Sequence, residues 1–312
     1  MTILKNIFLS IFLLSLFGCA NEQPSRVSQK NKFAVAAKNI KNEFNEYWYQ
    51  GLAEITSYDL EQARYGEIHK GSAVMVFVTE DFSKKKLVKM DNPSANPKDA
   101  VSILKLNKTR KFNTGIYPYS IMLSTFTPVN YKKNPNTLKV TNSSQEWCGH
   151  TFMQLGLSGN KYSGELFSYF ESEGDQQFKL EKTILEDELW SIIRINPMNL
   201  PRGEFDIIPS TTYARLKHIN YKVEKAVGVL EDLEDVYVYS LDYKDLGRKL
   251  SITFEKDFPH QIISWEETHK SGFGAGAKTL TTKATRKKSI MLDYWNKNNV
   301  ADLPYREKLG LD

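Results

Sequence analysis

From Gly51 onward the chain is a succession of strand-forming stretches separated by short punctuation, and no other feature restricts its fold as tightly. The stretch "LAEITSYDLEQARYGEI" runs through His69-Lys70-Gly71-Ser72 into "AVMVFVTEDF". That pattern predicts a long hairpin whose second strand is buried on both faces. Further strands are expected over 101–112, 115–127, 137–155, 162–172, 176–182, 205–217, 220–231, 235–243, 248–256, 260–269 and 278–292. Steps such as Ser158-Gly159-Asn160 and Asp257-Phe258-Pro259 divide most of them. So many strands joined by short turns imply a mainly β body, a large curved antiparallel sheet or open barrel.

Helical patterning occurs twice. Phe33, Ala36, Ala37, Ile40, Phe44 and Tyr47 share one face of an N-terminal helix that ends near Gly51. Its polar face mixes both charges, which suits packing on the body better than lying on a membrane. A second helix is expected near 184–195, where Thr183-Ile184-Leu185-Glu186 fits a capping box, Leu189, Trp190, Ile192 and Ile193 form the apolar face, and Pro197 stops it. It would plug or cover one face of the sheet. The two prolines between Asn196 and Gly203 mark the softest boundary in the body.

The N-terminus reads MTILKNIFLSIFLLSLFGCANEQPS, with one early lysine, an apolar run from Ile7 to Phe17, and then Leu16-Phe17-Gly18-Cys19. The run is too short for a spanning helix and has the flanks of an export signal. The L-x-G-C ending resembles the lipobox of bacterial lipoproteins, which implies that residues 1–18 are removed and Cys19 is acylated as the first mature residue. Several acyl chains on one residue hold a protein at a membrane, each buried methylene contributing ~0.8 kcal/mol. Ala20 and Asn21 lack the aspartate that favours inner-membrane retention in such signals, so the resemblance implies an outer-membrane lipoprotein at the periplasmic face of the envelope. Residues 19–32 are polar and read as a flexible tether, leaving 33–312 as the body. No later segment approaches 18 consecutive apolar residues.

A net charge of +5 over 312 residues is too mild to suggest a nucleic-acid binder. With Cys19 acylated, Cys148 is the one remaining thiol, so no internal disulfide is available and the core alone must hold the fold. Cys148 lies in "QEWCGHTF", whose W-C-G-H matches part of the active-site turn of protein disulfide isomerases. Thr151 stands where the resolving cysteine would be, and Gly156 and Ser158-Gly159-Asn160 leave no room for the helix that lowers such a thiol's pKa. Read as a strand, the segment puts Glu146, Cys148 and His150 on one face. Cys148 is then either a packing residue or a nucleophile activated by His150 with Glu146 orienting the imidazole. Side chains two apart on one strand lie parallel rather than converging, which favours packing.

Three other patterns are weaker. Ser271-Gly272-Phe273-Gly274-Ala275-Gly276-Ala277-Lys278-Thr279 has the glycine density of a phosphate loop, but Ala277 breaks the motif and no helix follows, so a hairpin loop is expected. Glu267 and His269 share a strand face without an identifiable third ligand, so no metal or cofactor is assigned. Lys84-Lys85-Lys86 and Arg286-Lys287-Lys288 read as solvated sheet edges.

The stretches "FNEYWYQGLAEITSYDLEQARYGEIHKGSAVMVFVTEDF", "RKFNTGIYPYSIMLSTFTPV" and "SSQEWCGHTF" resemble a family of Gram-negative lipoproteins of unknown function, often labelled "septum formation inhibitor Maf". True Maf proteins are cytosolic nucleotide pyrophosphatases with an N-terminal Ser-x-Ser-Pro-Arg-type motif that this chain lacks, so the label implies no activity. The strand order, with the late "LSITFEKDFPHQIISWEET", also resembles the curved sheets with a helical lid of periplasmic lipoprotein carriers. That likeness implies a concave, aromatic-lined face suited to an acyl chain. The function expected from the sequence is non-catalytic: a membrane-anchored lipoprotein that binds a lipid or other apolar ligand, or an envelope protein during assembly. A thiol-dependent enzyme using Cys148 with His150 is the alternative.

Overall fold

The computed structural model describes residues 43–311. Helix α1 (43–48) leads into β1 (Ala53–Arg64), β2 (Glu67–Ser83), the short β3 (Val88–Lys89), β4 (Ala100–Thr114), β5 (Tyr117–Pro128), β6 (Lys139–Glu146), β7 (Gly149–Ser158), β8 (Lys161–Ser168) and β9 (Gln176–Glu181). Lys182 and Thr183 connect to β10 (Ile184–Leu185), a 3₁₀ turn (Glu186–Glu188), α2 (Leu189–Ile195), β11 (Gly203–Ile208) and α3 (Thr211–Lys217). The chain then runs through β12 (Glu224–Asp232), β13 (Val236–Tyr243), β14 (Arg248–Glu255), β15 (Ile262–Ser271) and β16 (Lys278–Leu292) to α4 (Pro304–Lys308). The expected lipidation site, tether and first part of the N-terminal helix lie outside the described residues.

All the strands join one open curved sheet in which almost every hydrogen-bonded neighbour is also a neighbour in sequence. Strand β16 returns to pair antiparallel with β1, from Ala53 opposite Leu292 to Glu61 opposite Lys283. Only β10 with β11 is parallel. The free edges are β9 and β10, and since just Lys182 and Thr183 separate them in sequence, the strand twist must bring the two edges close together at that point. The mainly β, antiparallel meander expected from turn spacing is therefore present.

Alternation along each strand decides which side chains enter. In β4, Leu104, Leu106, Lys108, Arg110 and Phe112 are buried while Lys105, Asn107, Thr109 and Lys111 are more exposed. The inner face is filled by α2 and α3, both almost wholly buried. Helix α2 reaches across the curl: Trp190 packs edge-on against Trp265 of β15 at 5.4 Å between ring centroids, and Arg194 pairs with Glu54 of β1. One core cluster joins Trp48, Phe77, Leu104, Leu106, Leu189, Ile192, Ile193 and Trp265. A second holds Leu123, Val140, Met153, Leu155, Tyr162, Leu185 and Ile208. No helix among the described residues is long and apolar enough to cross a membrane.

Four local expectations change. The first hairpin turns at Tyr65-Gly66, both at positive φ, rather than around Gly71. Gly71 sits inside β2, where a Cβ would meet the Lys111 carbonyl oxygen at 2.1 Å. The stretch 137–155 is not one strand: it folds back at Trp147-Cys148 into β6 and β7. Residues 205–217 split into β11 and α3, which Ser210 caps by accepting from Thr212 N at 3.2 Å. The helix near 184–195 begins only at Leu189, and Glu188 rather than Glu186 reaches back, its Oε1 accepting from Leu185 N at 3.1 Å. The soft boundary at 196–203 is the passage from α2 to β11, and β10 and β11 pair across it.

Because α2 fills the curl, Ile193→Ala leaves a cavity that the surrounding strands cannot close. A loss of about 2–5 kcal/mol is expected, read as a lower urea midpoint with an unchanged denaturant slope.

Candidate functional site

Two regions concentrate chemistry-bearing side chains: the ionic interior around α2, and the hairpin tip at Cys148.

In the interior, both nitrogens of the Arg194 fork bind the two carboxylate oxygens of Glu54, each residue only 1 % exposed, and Arg194 Nε donates to the Pro259 carbonyl at 2.8 Å. Tyr47 also donates to Glu54, as does Gln261 Nε2 at 3.2 Å. Burial pushes the Glu54 carboxyl up, but Arg194 more than offsets it and the net direction is down. One layer deeper, Arg248 of β14 forks onto Glu186 and donates through Nε to Glu267 Oε1 at 2.8 Å. Tyr243 adds a hydrogen bond to Glu186 at 2.7 Å. Burial raises Glu267, yet Arg248 and then Arg110 pull it down to about 2.

Three groups in this layer are less well matched. Lys108 Nζ lies 3.2 Å from the centre of the Trp190 ring and 4.3 Å from that of Trp265, with no hydrogen bond or ion pair to a described residue. Burial, then neighbouring Arg110, push its ammonium well below the ordinary lysine range. Asp187 Oδ2 accepts from Thr211 N at 2.9 Å and Thr211 Oγ1 at 2.7 Å, but Oδ1 has no partner, and burial raises the carboxyl. Glu188 accepts from Thr137 N at 2.7 Å, yet burial still raises it to about 7. Lys108, Arg110, Glu186, Asp187, Trp190 and Glu267 border a cavity of about 10 Å³, room for a single water. A desolvated lysine beside paired carboxylates is the chemistry of many active sites. Here, however, it faces two indole rings and a space too small for a substrate.

At the sheet end, the Trp147-Cys148 turn separates the three residues that the strand reading put together. Glu146 is buried at the end of β6, and its Oε2 accepts from the Cys148 backbone N at 2.7 Å. His150 starts up β7 on an exposed position opposite Gln145. Cys148 is exposed, and the Glu146 carboxylate beside it pushes its thiol up. A working nucleophile needs the reverse shift. Glu267 and His269 are both buried in β15, with Glu267 committed to Arg248. No group of three His, Cys, Asp or Glu residues with metal-binding geometry occurs among the described residues.

No protein-family model, curated protein or solved structure matches the chain.

The interior charges were missed from sequence, although one signal was present: in "LKLNKTRKF" Lys108 and Arg110 fall in phase with inward-facing Leu104, Leu106 and Phe112.

Two outcomes follow. Because the folded protein holds the Glu188 proton more tightly than an unfolded chain, with a folded value of about 7 against 4.5, its stabilisation is full below about pH 4.5 and is lost as pH rises through 7. From pH 5 to pH 8 the loss of this contribution should lower stability by about 2–3 kcal/mol. Glu188→Gln should remove that slope from urea midpoints whatever its absolute stability. At the tip, Cys148 should react with iodoacetamide at pH 7 more slowly than a free thiol, and Glu146→Gln should speed it. A fast wild-type rate would contradict the raised thiol.

Proposed function

We propose that this protein is an outer-membrane lipoprotein of the Gram-negative type, held at the periplasmic face through acylated Cys19. In this reading its β body acts without catalysis, as an envelope-assembly factor working through its surface. The N-terminal L-x-G-C ending and the resemblance of three long stretches to a lipoprotein family support the anchor. The observation that carries the surface-acting role is the filled interior. Helices α2 and α3 occupy the inner face, and cavities lined by described residues measure about 10, 20 and 90 Å³. An apolar cavity known to hold benzene measures about 150 Å³, so an acyl chain entering around α2 would have to displace that helix and break the Arg194 and Arg248 pairs.

The thiol-enzyme reading has less support. Cys148 lacks an activating base, and its carboxylate neighbour works against thiolate formation.

The test is native mass spectrometry of the chain carrying Cys19→Ser, purified without detergent, with organic extraction of anything bound. The expected spectrum is that of the bare protein, and mass analysis of the natural N-terminus should show a diacylated cysteine. Co-purified fatty-acyl species would overturn the surface-acting reading in favour of a carrier that opens. An unmodified Cys19 in envelope fractions would remove the anchor.

A further inference from the structure

Antiparallel order sends alternate hairpin turns to opposite ends of the sheet. One end carries exposed Lys84-Lys85-Lys86, Lys132-Lys133 and Asp232-Leu233-Glu234-Asp235 around the turns after β2, β5 and β12. The other carries charged turns after β8 (Glu171, Glu173, Asp175) and β13 (Lys244, Asp245), and between them in the sheet four consecutive hairpins whose tips are uncharged: Ser271–Ala277, Tyr65-Gly66, Gly115-Ile116 and Trp147-Cys148. Each presents one large apolar side chain to solvent: Phe273 at 68 % exposure, Tyr65 at 40 %, Ile116 at 86 % and Trp147 at 67 %.

These tips touch one another. Phe273 lies 6.2 Å from the Tyr65 ring, and Tyr117 stacks on Trp147 at 6.3 Å. The hydroxyl of Tyr65 bridges to those of Tyr119 at 2.8 Å and Tyr117 at 3.3 Å. The result is a continuous arc rather than scattered exposed rings. Behind it, Lys70, Lys111, Lys270 and Lys278 outnumber the exposed Glu61 and Glu67, and none of the four lysines forms an ion pair with a described residue. They sit one to four residues from the tips, about 3–14 Å at the strand rise.

We infer that this arc of hairpin tips docks into the interface of an anionic bilayer, with the apolar tips in the headgroup–acyl boundary and the lysine collar against lipid phosphates. Interfacial binding requires that combination: aromatic and aliphatic groups reaching about 5–10 Å deep, no charge among them, and cations at headgroup level. The inference rests on the proposed anchor, because tethering would keep the arc at the bilayer surface. The chain allows it: the expected tether from Cys19 to residue 32 extends about 45 Å and the expected helical turns to Glu43 add about 15 Å, together matching the ~58 Å length of the 17-residue β2. The arc can therefore face the bilayer that holds the anchor even though α1 enters at the opposite end.

The exposed thiol of Cys148 supplies the probe. The full chain with its natural anchor is labelled with an environment-sensitive dye and reconstituted in phosphatidylethanolamine–phosphatidylglycerol vesicles, with identically treated Cys148→Ser as the background. Emission should shift to the blue, brominated acyl chains should quench it, and aqueous iodide should lose access. Ile116→Asp with Phe273→Asp should abolish all three effects without changing vesicle flotation, and vesicles lacking phosphatidylglycerol should weaken them severalfold. Flotation with a dye open to iodide and blind to bromine overturns the docking and leaves the anchor standing. Failure to float overturns both. Shielding that grows with protein concentration in the absence of lipid would assign the arc to a second copy of the chain and overturn the bilayer.

Discussion

A sheet that curls until its edges nearly meet encloses more space than one layer of inward side chains can fill, and here that space is occupied by α2, inserted directly after the last edge strand. A helix in that position must be fixed in depth and rotation, and apolar contacts alone do this poorly because they are non-directional. The Arg194–Glu54 fork does it from one side, tying the C-terminal end of α2 to the first strand of the sheet. Arg248 does it from the other, gripping Glu186 just before the helix and Glu267 on the neighbouring strand. Buried pairs of this kind contribute little net stability over apolar replacements, but losing one partner strands a charge at a cost of about 3–5 kcal/mol. Their effect is to make one placement of the helix far better than its neighbours.

The same logic accounts for Lys108. On a strand whose inner positions are otherwise Leu104, Leu106, Arg110 and Phe112, an ammonium between two indoles is costly to desolvate. Cation–π attraction and the nearby carboxylates Glu267, Asp187 and Glu186 return part of that cost. The layer sets the carboxyl groups of Glu186, Asp187, Glu188 and Glu267 against Lys108, Arg110 and Arg248, and Asp187 Oδ1 beside the small cavity is left without a partner.

Much of the architecture could be read in advance because its information is local. Glycine, asparagine and proline between alternating stretches gave the strand succession, and Leu189, Trp190, Ile192 and Ile193 gave the buried helix. The misreadings have physical causes. The Trp147-Cys148 turn needs no positive φ at either residue, so it leaves no glycine signature and passes for strand. Helix α3 opens with Thr211, Thr212 and Tyr213, poor helix formers overruled by burial and by the Ser210 cap. Gly71 looked like a turn and is instead a site of close strand approach. The ion pairs were illegible for another reason: Glu54 and Arg194 are 140 residues apart, and pairing at that distance is a property of the curved sheet as a whole.

A meander has a consequence for where function can reside. Since alternate turns collect at opposite ends, the sequence can set the chemistry of each end separately without altering a single inward-facing position. Four consecutive neutral, apolar tips flanked by the charged β8–β9 and β13–β14 turns are such a setting. Exposed apolar tips cost a β protein solubility, and although Tyr65 and Trp147 reach back to Tyr119 and Tyr117, Phe273 and Ile116 stay exposed and join no core cluster. The interior, by contrast, is closed, filled and locked by charge, and it offers a ligand little room. In the proposed surface-acting reading binding energy comes from the surface, and the apolar arc, flanked by lysines without ion pairs to described residues, is its most exposed apolar feature.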